Sequence, residues 1–156
     1  MTANKNTVLK IYLDNCCFNR PYDNQKNLRV YLETQAKIYV QDLIKNGIVK
    51  MATSFILEYE NLKNPFAVRR VAIEKFLKAY SSDYVGVDKL ENIKQIASSI
   101  MANGIKIYDA YHVACALSLD CDYFLSTDDR LLKRYSSHKI VLLNPLDFVK
   151  LEEIHL

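Results

Sequence analysis

Apolar residues along this chain fall into short, strand-length runs separated by longer stretches with helical spacing. Val8 to Leu13 is the first run, rich in β-branched and aromatic residues, and it leads directly into Asp14. The polar segment from Asn15 to Pro21 reads as a loop. Asn24 to Asn46 is predicted as a long helix: Leu28, Leu32, Ala36, Tyr39, Val40 and Leu43 recur at helical spacing, and Asn46-Gly47 is a stop. Ile48 to Thr53 is a second strand, and Ser54 is placed as the N-cap of a helix reaching Leu62. Asn64-Pro65 breaks that helix, with Pro65 suited to a first helical position. Phe66 to Ser82 is the next helix, its apolar stripe made by Val68, Val71, Ala72, Phe76, Leu77 and Tyr80.

Asp83 to Val87 reads either as a short strand or as an extended connection. Asp88 to Asn103 is helical, with Leu90, Ile93, Ile96, Ala97 and Ile100 facing inward and Asn103-Gly104 as the stop. Tyr108 to Leu119 is apolar on almost every side, the pattern of a buried helix. Tyr123-Phe124-Leu125 is a buried strand that ends in Ser126-Thr127-Asp128-Asp129. A short helix around Arg130 to Tyr135, a last strand Ile140 to Leu143 and a helical turn from Asn144-Pro145 complete the chain. Strands alternating with helices predict an α/β fold whose parallel sheet is covered on both faces.

Composition narrows the picture modestly. The 156 residues contain only three glycines and three prolines, so regular structure with short connections is expected throughout, as one domain over residues 1–156. A net charge of +3 does not by itself point to nucleic acid. No stretch approaches the roughly 20 apolar residues of a membrane helix. The polar segment Met1 to Thr7 and the short run after it do not resemble a signal sequence, so a cytoplasmic location is expected. Cys16, Cys17, Cys115 and Cys121 form no C-x-x-C pair. Free thiols fit a reducing compartment. Cys115 reads as a small core residue, and Cys16 and Cys17 are expected to pack beneath whatever site Asp14 belongs to.

The candidate chemistry lies in the carboxylates. Asp14 and Asp128 end two predicted strands, Glu58 and Glu60 lie on the helix after a third, and Asp109 sits in the first turn of the most buried helix. Each has a plain structural explanation: an acid at a helix start favours the macrodipole, and Asp128 suits an N-cap. Glu58 and Glu60 point about 200° apart on a helical wheel, so one of them lies off any shared site. Together, however, acids gathered at the carboxyl edge of a parallel sheet repel one another unless a cation neutralises them. Oxygen donors suit a hard ion such as Mg²⁺ or Mn²⁺. His112 follows Asp109 by one turn and is read either as facing that site or as a hydrogen-bonded core residue.

Four blocks resemble the PIN domain, the nuclease fold shared with VapC-type toxins. They are Lys10-Ile11-Tyr12-Leu13-Asp14-Asn15, Thr53-Ser54-Phe55-Ile56-Leu57-Glu58-Tyr59-Glu60, Ile107-Tyr108-Asp109-Ala110-Tyr111-His112-Val113-Ala114-Cys115-Ala116, and Tyr123-Phe124-Leu125-Ser126-Thr127-Asp128-Asp129. The third resembles D-A-x-H-x-A-x-A and the fourth a T-x-D strand end. The segment Asp14 to Pro21 also resembles a subgroup that opens with L-D-x-C-x-x-R-P. The resemblance implies a three-layer α/β/α sandwich with a mainly parallel sheet, and Mg²⁺- or Mn²⁺-dependent endonucleolytic cleavage of RNA. It carries the metal-site and catalytic roles to Asp14, Glu60, Asp109 and Asp128, with Glu58, Asp129, Ser126, Asn15 and Glu33 as secondary candidates. Arg20, Lys26, Arg69, Arg70, Lys133 and Arg134 are candidates for RNA backbone contacts. A homodimer, a small antitoxin as partner and a toxin–antitoxin role are implied by the resemblance as well. A haloacid-dehalogenase-type phosphatase is disfavoured because Cys16 occupies the second acid position of D-x-D, and no Lys is placed as a receiver domain requires. A PIN-fold module without activity is the competing non-enzymatic reading.

Overall fold

A computed structural model describes residues 7–155, and the side chains of residues 7–151. The strands are β1 (Lys10–Leu13), β2 (Lys50–Ser54), β3 (Ser81–Val85), β4 (Tyr123–Leu125) and β5 (Val141–Leu143). The helices are α1 (Asn15–Asn19), α2 (Leu28–Lys45), α3 (Phe55–Leu62), α4 (Ala67–Tyr80), α5 (Leu90–Met101), α6 (Ile107–Ser118), α7 (Asp129–Arg134) and α8 (Pro145–His155). All strand pairs are parallel, in the order β3-β2-β1-β4-β5. Helices cover the sheet to give the three-layer α/β/α sandwich, with α2 packed on α8 and α5 on α6.

The strand order decides where a site can form. The chain moves outward from β1 through β2 to β3, then returns to add β4 and β5 on the other side of β1. The gap between β1 and β4 is therefore a topological switch point, where the following helices leave in opposite directions and open a crevice. Leu13 is level with Leu125 and Tyr12 with Ala52, so the next residues along, Asp14, Ser126 and Ser54, share one edge. The ladder continues there, with Asp14 N–H donating to Leu125 O at 2.9 Å.

Caps and stops follow local chemistry. Ser54 accepts from Leu57 N and begins α3, while Gly47 (φ +72°) and Gly104 (φ +81°) take the left-handed conformation after α2 and α5. Asp83 to Val85 belongs to a strand, so of the two readings of that segment the paired one holds.

Four expectations are corrected. Asn15 to Asn19 is a short helix capped by Asp14, not a loop, and a 3-10 turn follows at Arg20–Tyr22. The long helix begins at Leu28 rather than Asn24, because the Asn27 side chain caps Val30 N. Its inward face is also rotated: Leu28 and Leu32 are exposed, whereas Glu33, Thr34 and Lys37 are buried. Polar groups are tolerated there because each finds partners. Glu33 meets two arginines, and the Lys37 ammonium lies over the Phe18 and Phe76 rings while donating to Gln41. Burial still draws the Lys37 pKa down to about 8. On α4 only Ile73 and Leu77 are fully inward; Val68 and Val71 face solvent.

Candidate metal centre at the carboxyl edge of the sheet

Asp14, Glu60, Asp109 and Asp128 line one open cleft of about 300 Å³ at the switch point, together with Asn15, Cys16, Asn19 and Asp23. Each acid arrives from a different element, and the local sequence explains how. β1 ends at Asp14, which caps α1: its Oδ1 accepts from Asn15 N at 2.8 Å. Its Oδ2 accepts from the buried Ser126 hydroxyl at 2.8 Å. Ser126 Oγ in turn accepts from Asp128 N at 3.0 Å, so one hydroxyl ties the ends of β1 and β4 together. Asp128 Oδ1 caps α7 through Arg130 N and Leu131 N, so the capping role and the place in the cleft belong to the same residue.

Glu60 comes from the last turn of α3 and is held from behind. The buried His112 on α6 contacts Glu60 Oε1 through Nε2 and the Tyr12 hydroxyl through Nδ1, at 2.7 Å for the latter. Tyr12 also meets Ser54 Oγ at 2.6 Å. A carboxylate can only accept, so the chain orders itself: Ser54 donates to Tyr12, Tyr12 to His112 Nδ1, and His112 Nε2–H to Glu60. Of the two readings of His112, it satisfies both, as a buried hydrogen-bonded residue and as a neighbour of the site. Tyr12 was missed in the sequence, although a phenol in a central strand calls for a polar partner.

Asp109, in the first turn of α6, makes no hydrogen bond among the described residues. Its pKa is pushed up to about 6, chiefly by burial and then by the charges of Asp14 and Asp128. Like charges are thus concentrated here, and among the described residues no Lys or Arg forms an ion pair with Asp14, Glu60, Asp109 or Asp128.

The secondary candidates divide. Glu58 lies on the opposite side of α3, in a separate cavity of about 380 Å³ with Thr53, Lys78 and Tyr84. Asp129 points away and forms a two-pronged pair with Arg29, at 2.6 and 2.8 Å. Glu33 is buried away from the cleft, held by Arg20, Arg29 and Asn144. Asn15 and Ser126 stand at the site; Asn15 Nδ2 reaches toward Glu60 at 3.5 Å. Cys17 is buried under the site as expected, but Cys16 is half-buried and lines the cleft, its Sγ 3.5 Å from Asp14 Oδ2. Asp23 and Asn19 were not singled out in the sequence, because neither follows a strand. They reach the cleft only because α1 and its turn fold back over it.

The basic candidates are equally uneven. Arg20 is occupied by Glu33 and Asp23, Arg70 donates to Asn64 O at 2.7 Å, and Lys26 and Lys133 are exposed outside the cleft. Arg69 lies next to the acids, in a cleft that shares Asn15, Asn19 and Glu60 with theirs. On the other flank Lys106, Arg130 and Arg134 border Asp109 and Asp128. Of these, Lys106 and Arg130 were missed, being single basic residues in helix-start segments.

The four acids supply oxygen donors alone, in the chemistry that a hard divalent cation takes. No group of three or more His, Cys, Asp or Glu side chains among the described residues is already drawn together as a cage. Mutual repulsion of bare carboxylates opposes such closure, and Glu60 is turned toward His112.

A five-stranded, all-parallel sheet flanked by helices, with acids collected at its switch point, defines a PIN-like α/β fold. The PIN domain profile matches residues 11–137, and the chain belongs to the PIN domain family, whose members are typically metal-dependent nucleases. Among solved structures it is similar to a chain of VapBC2 from Rickettsia felis, crystallised bound to a DNA fragment from their promoter. The TM-score is 0.53 and the identity 15%, over 87% of this chain and 98% of that one, a likeness of fold. No curated relative matches the chain. Among the described residues no helix is long and apolar enough to cross a membrane.

Proposed function

We propose that this protein is an Mg²⁺- or Mn²⁺-dependent endoribonuclease, the toxin of a toxin–antitoxin pair. The observation that carries the proposal is the convergence of Asp14, Glu60, Asp109 and Asp128, from four separate elements, on one cleft without a basic side chain among them. A divalent ion bound there supplies two things: a water acidic enough to give hydroxide near neutral pH, and neutralisation of phosphate charge. Asp14 would be one of the residues to hold such an ion, with a carboxylate already oriented by Ser126 and Asn15. His112 keeps one oxygen of Glu60 occupied, leaving Oε2 toward the cleft. Asp109, lacking hydrogen bonds, is the carboxylate most free to turn toward an incoming cation. Arg69 on one flank and Lys106, Arg130 and Arg134 on the other give a phosphate backbone a route across the acids.

The fold likeness to VapBC2 supports an assembly with an antitoxin, and a homodimer is proposed from the resemblance to PIN toxins alone. The decisive experiment is RNA cleavage in Mg²⁺ by Asp14→Asn and Asp109→Asn proteins. Loss of cleavage is expected; cutting as fast as the parent refutes the proposal. A second reading is a PIN-fold binding module without activity. Thermal melts in rising Mn²⁺ separate the two, since an ion that binds only the native state raises Tm.

A further inference from the structure

The cleft of the acids opens sideways into a second one of about 230 Å³, between α1 and the turn that joins α3 to α4. Its outer wall is the segment Asn64-Pro65-Phe66 and, one turn into α4, Arg69. Phe66 is 56% exposed, an unusual place for a phenyl ring, yet its backbone is tightly fixed. Asn64 Oδ1 accepts from Phe66 N at 3.1 Å, Arg70 donates to Asn64 O at 2.7 Å, and Asn61 Nδ2 donates to Arg70 O at 2.9 Å. Pro65 stiffens the same turn. The ring is therefore presented to solvent by a rigid support.

Arg69 and Arg70 are neighbours with opposite fates. Arg70 is consumed in bracing the turn. Arg69 has its guanidinium 4.0 Å from the Phe66 ring centre and 4.9 Å from that of Tyr22, which is 41% exposed. Among the described residues no carboxylate pairs with Arg69 and no acceptor takes its N–H groups. A planar cation beside two exposed rings, with its donors free among the described residues, is what single-stranded nucleic acids bind: bases stack on aromatic and guanidinium planes while N–H groups take phosphate oxygens. The side amides of Asn15, Asn19 and Asn64, hydrogen-bonded to one another, make the wall facing the acids polar. A duplex keeps its bases in its own stack and has no free face to offer such a platform.

We infer that Phe66, Arg69 and Tyr22 form a base-stacking subsite for single-stranded RNA, beside the phosphate position at the acids. This rests on the nucleic-acid reading of the acid cleft. Its test is binding of short single-stranded RNAs by the full chain in EDTA, with 2-aminopurine placed at successive positions and an abasic residue at the same positions in a parallel set. Fluorescence quenching at one position and roughly tenfold weaker binding of the matching abasic strand are expected. Phe66→Ala removes the quenching with a similar loss of affinity. Arg69→Ala lowers the slope of log K against log salt by about 0.7, whereas Arg69→Lys keeps the slope and weakens the stacking. Phe66 and Arg69 lie at the surface, and melting curves confirm that the variants fold. The inference is overturned by absence of RNA binding, by binding without quenching at any position, or by unchanged affinity in Phe66→Ala. It is equally overturned if that variant changes only oligomeric state, which makes the patch a protein contact. Quenching by a parent protein that never cuts RNA in Mg²⁺ refutes the nuclease reading and leaves the subsite standing. Cleavage with Phe66→Ala kinetics identical to the parent's does the reverse.

Discussion

Two groups of acids flank the start of α2 and the end of β4, and the fold treats them in opposite ways. Glu33 is fully buried but meets Arg20, Arg29 and Asn144, while Arg29 goes on to clasp Asp129. Asp14, Glu60, Asp109 and Asp128 share a cleft that no Lys or Arg among the described residues lines. Sequence distance does not predict the difference, since Asp128 and Asp129 are adjacent and fall into different groups. The contrast teaches that an acid balanced by arginines is committed to structure, whereas acids left facing one another are the candidates for the proposed metal site. Arg29 also donates to Thr127 O at 3.3 Å, so the balanced group braces the turn that carries Asp128 into the unbalanced one.

The contrast can be broken from both sides. The largest effect is expected for activity: Asp14→Asn or Asp109→Asn should lower RNA cleavage by roughly 10²-fold or more, with urea melts close to the parent's. If either variant loses stability instead of activity, the acids are structural after all. Glu33→Gln should do the opposite, costing about 3 kcal/mol in urea unfolding, toward the low end for a broken buried pair because both arginines reach solvent. Next in size is the response to Mn²⁺: Tm should rise in the parent and in Glu33→Gln but not in Asp14→Asn, as read by thermal melts.

A smaller effect concerns pH. The Asp109 pKa is raised to about 6 in the folded chain, from 3.8 for a free carboxyl. Between those values the native state holds more protons than the unfolded one, so stability falls as pH rises through that window and levels off above it. Melts in EDTA should show this decline in the parent and its loss in Asp109→Asn; a parent whose stability climbs across the same range contradicts the assignment. The smallest change is expected for Asp129→Asn. Arg29 holds the Asp129 carboxyl below its usual range, but the pair lies in solvent, and its loss should leave the urea midpoint within error.

The elements themselves were largely legible from local pattern. β1, β2 and β4 led to the capping residues Asp14, Ser54 and Asp128, and Asn46-Gly47 and Asn103-Gly104 stopped their helices where the glycines take positive φ. The errors share one cause. The Asn15 to Asn19 helix lacks an apolar period long enough to announce itself, and it forms because Asp14 caps it. On α2 the apolar stripe misjudged the inward face, because burial of Glu33 and Lys37 depends on Arg20 and Phe18, from the segment before the helix, and on Phe76, from α4 after it.

For the site, the chain alone determined which residue types were on offer: acids at strand ends and helix starts, whose number and order already matched the PIN pattern. It also limited Glu58 and Glu60 to one place in any shared cleft, because a helix sends residues two apart to opposite sides. The PIN resemblance pointed to Glu60, and the tertiary structure brings that residue, not Glu58, into the cleft. The strand order 3-2-1-4-5 brings α3, α6 and the ends of β1 and β4 to one crevice, and it turns Glu60 rather than Glu58 toward it. The same folding separated Asp128 from Asp129 and Arg69 from Arg70. Charge and hydrogen-bonding capacity are written in each side chain, but whether they are satisfied depends on partners dozens of residues away.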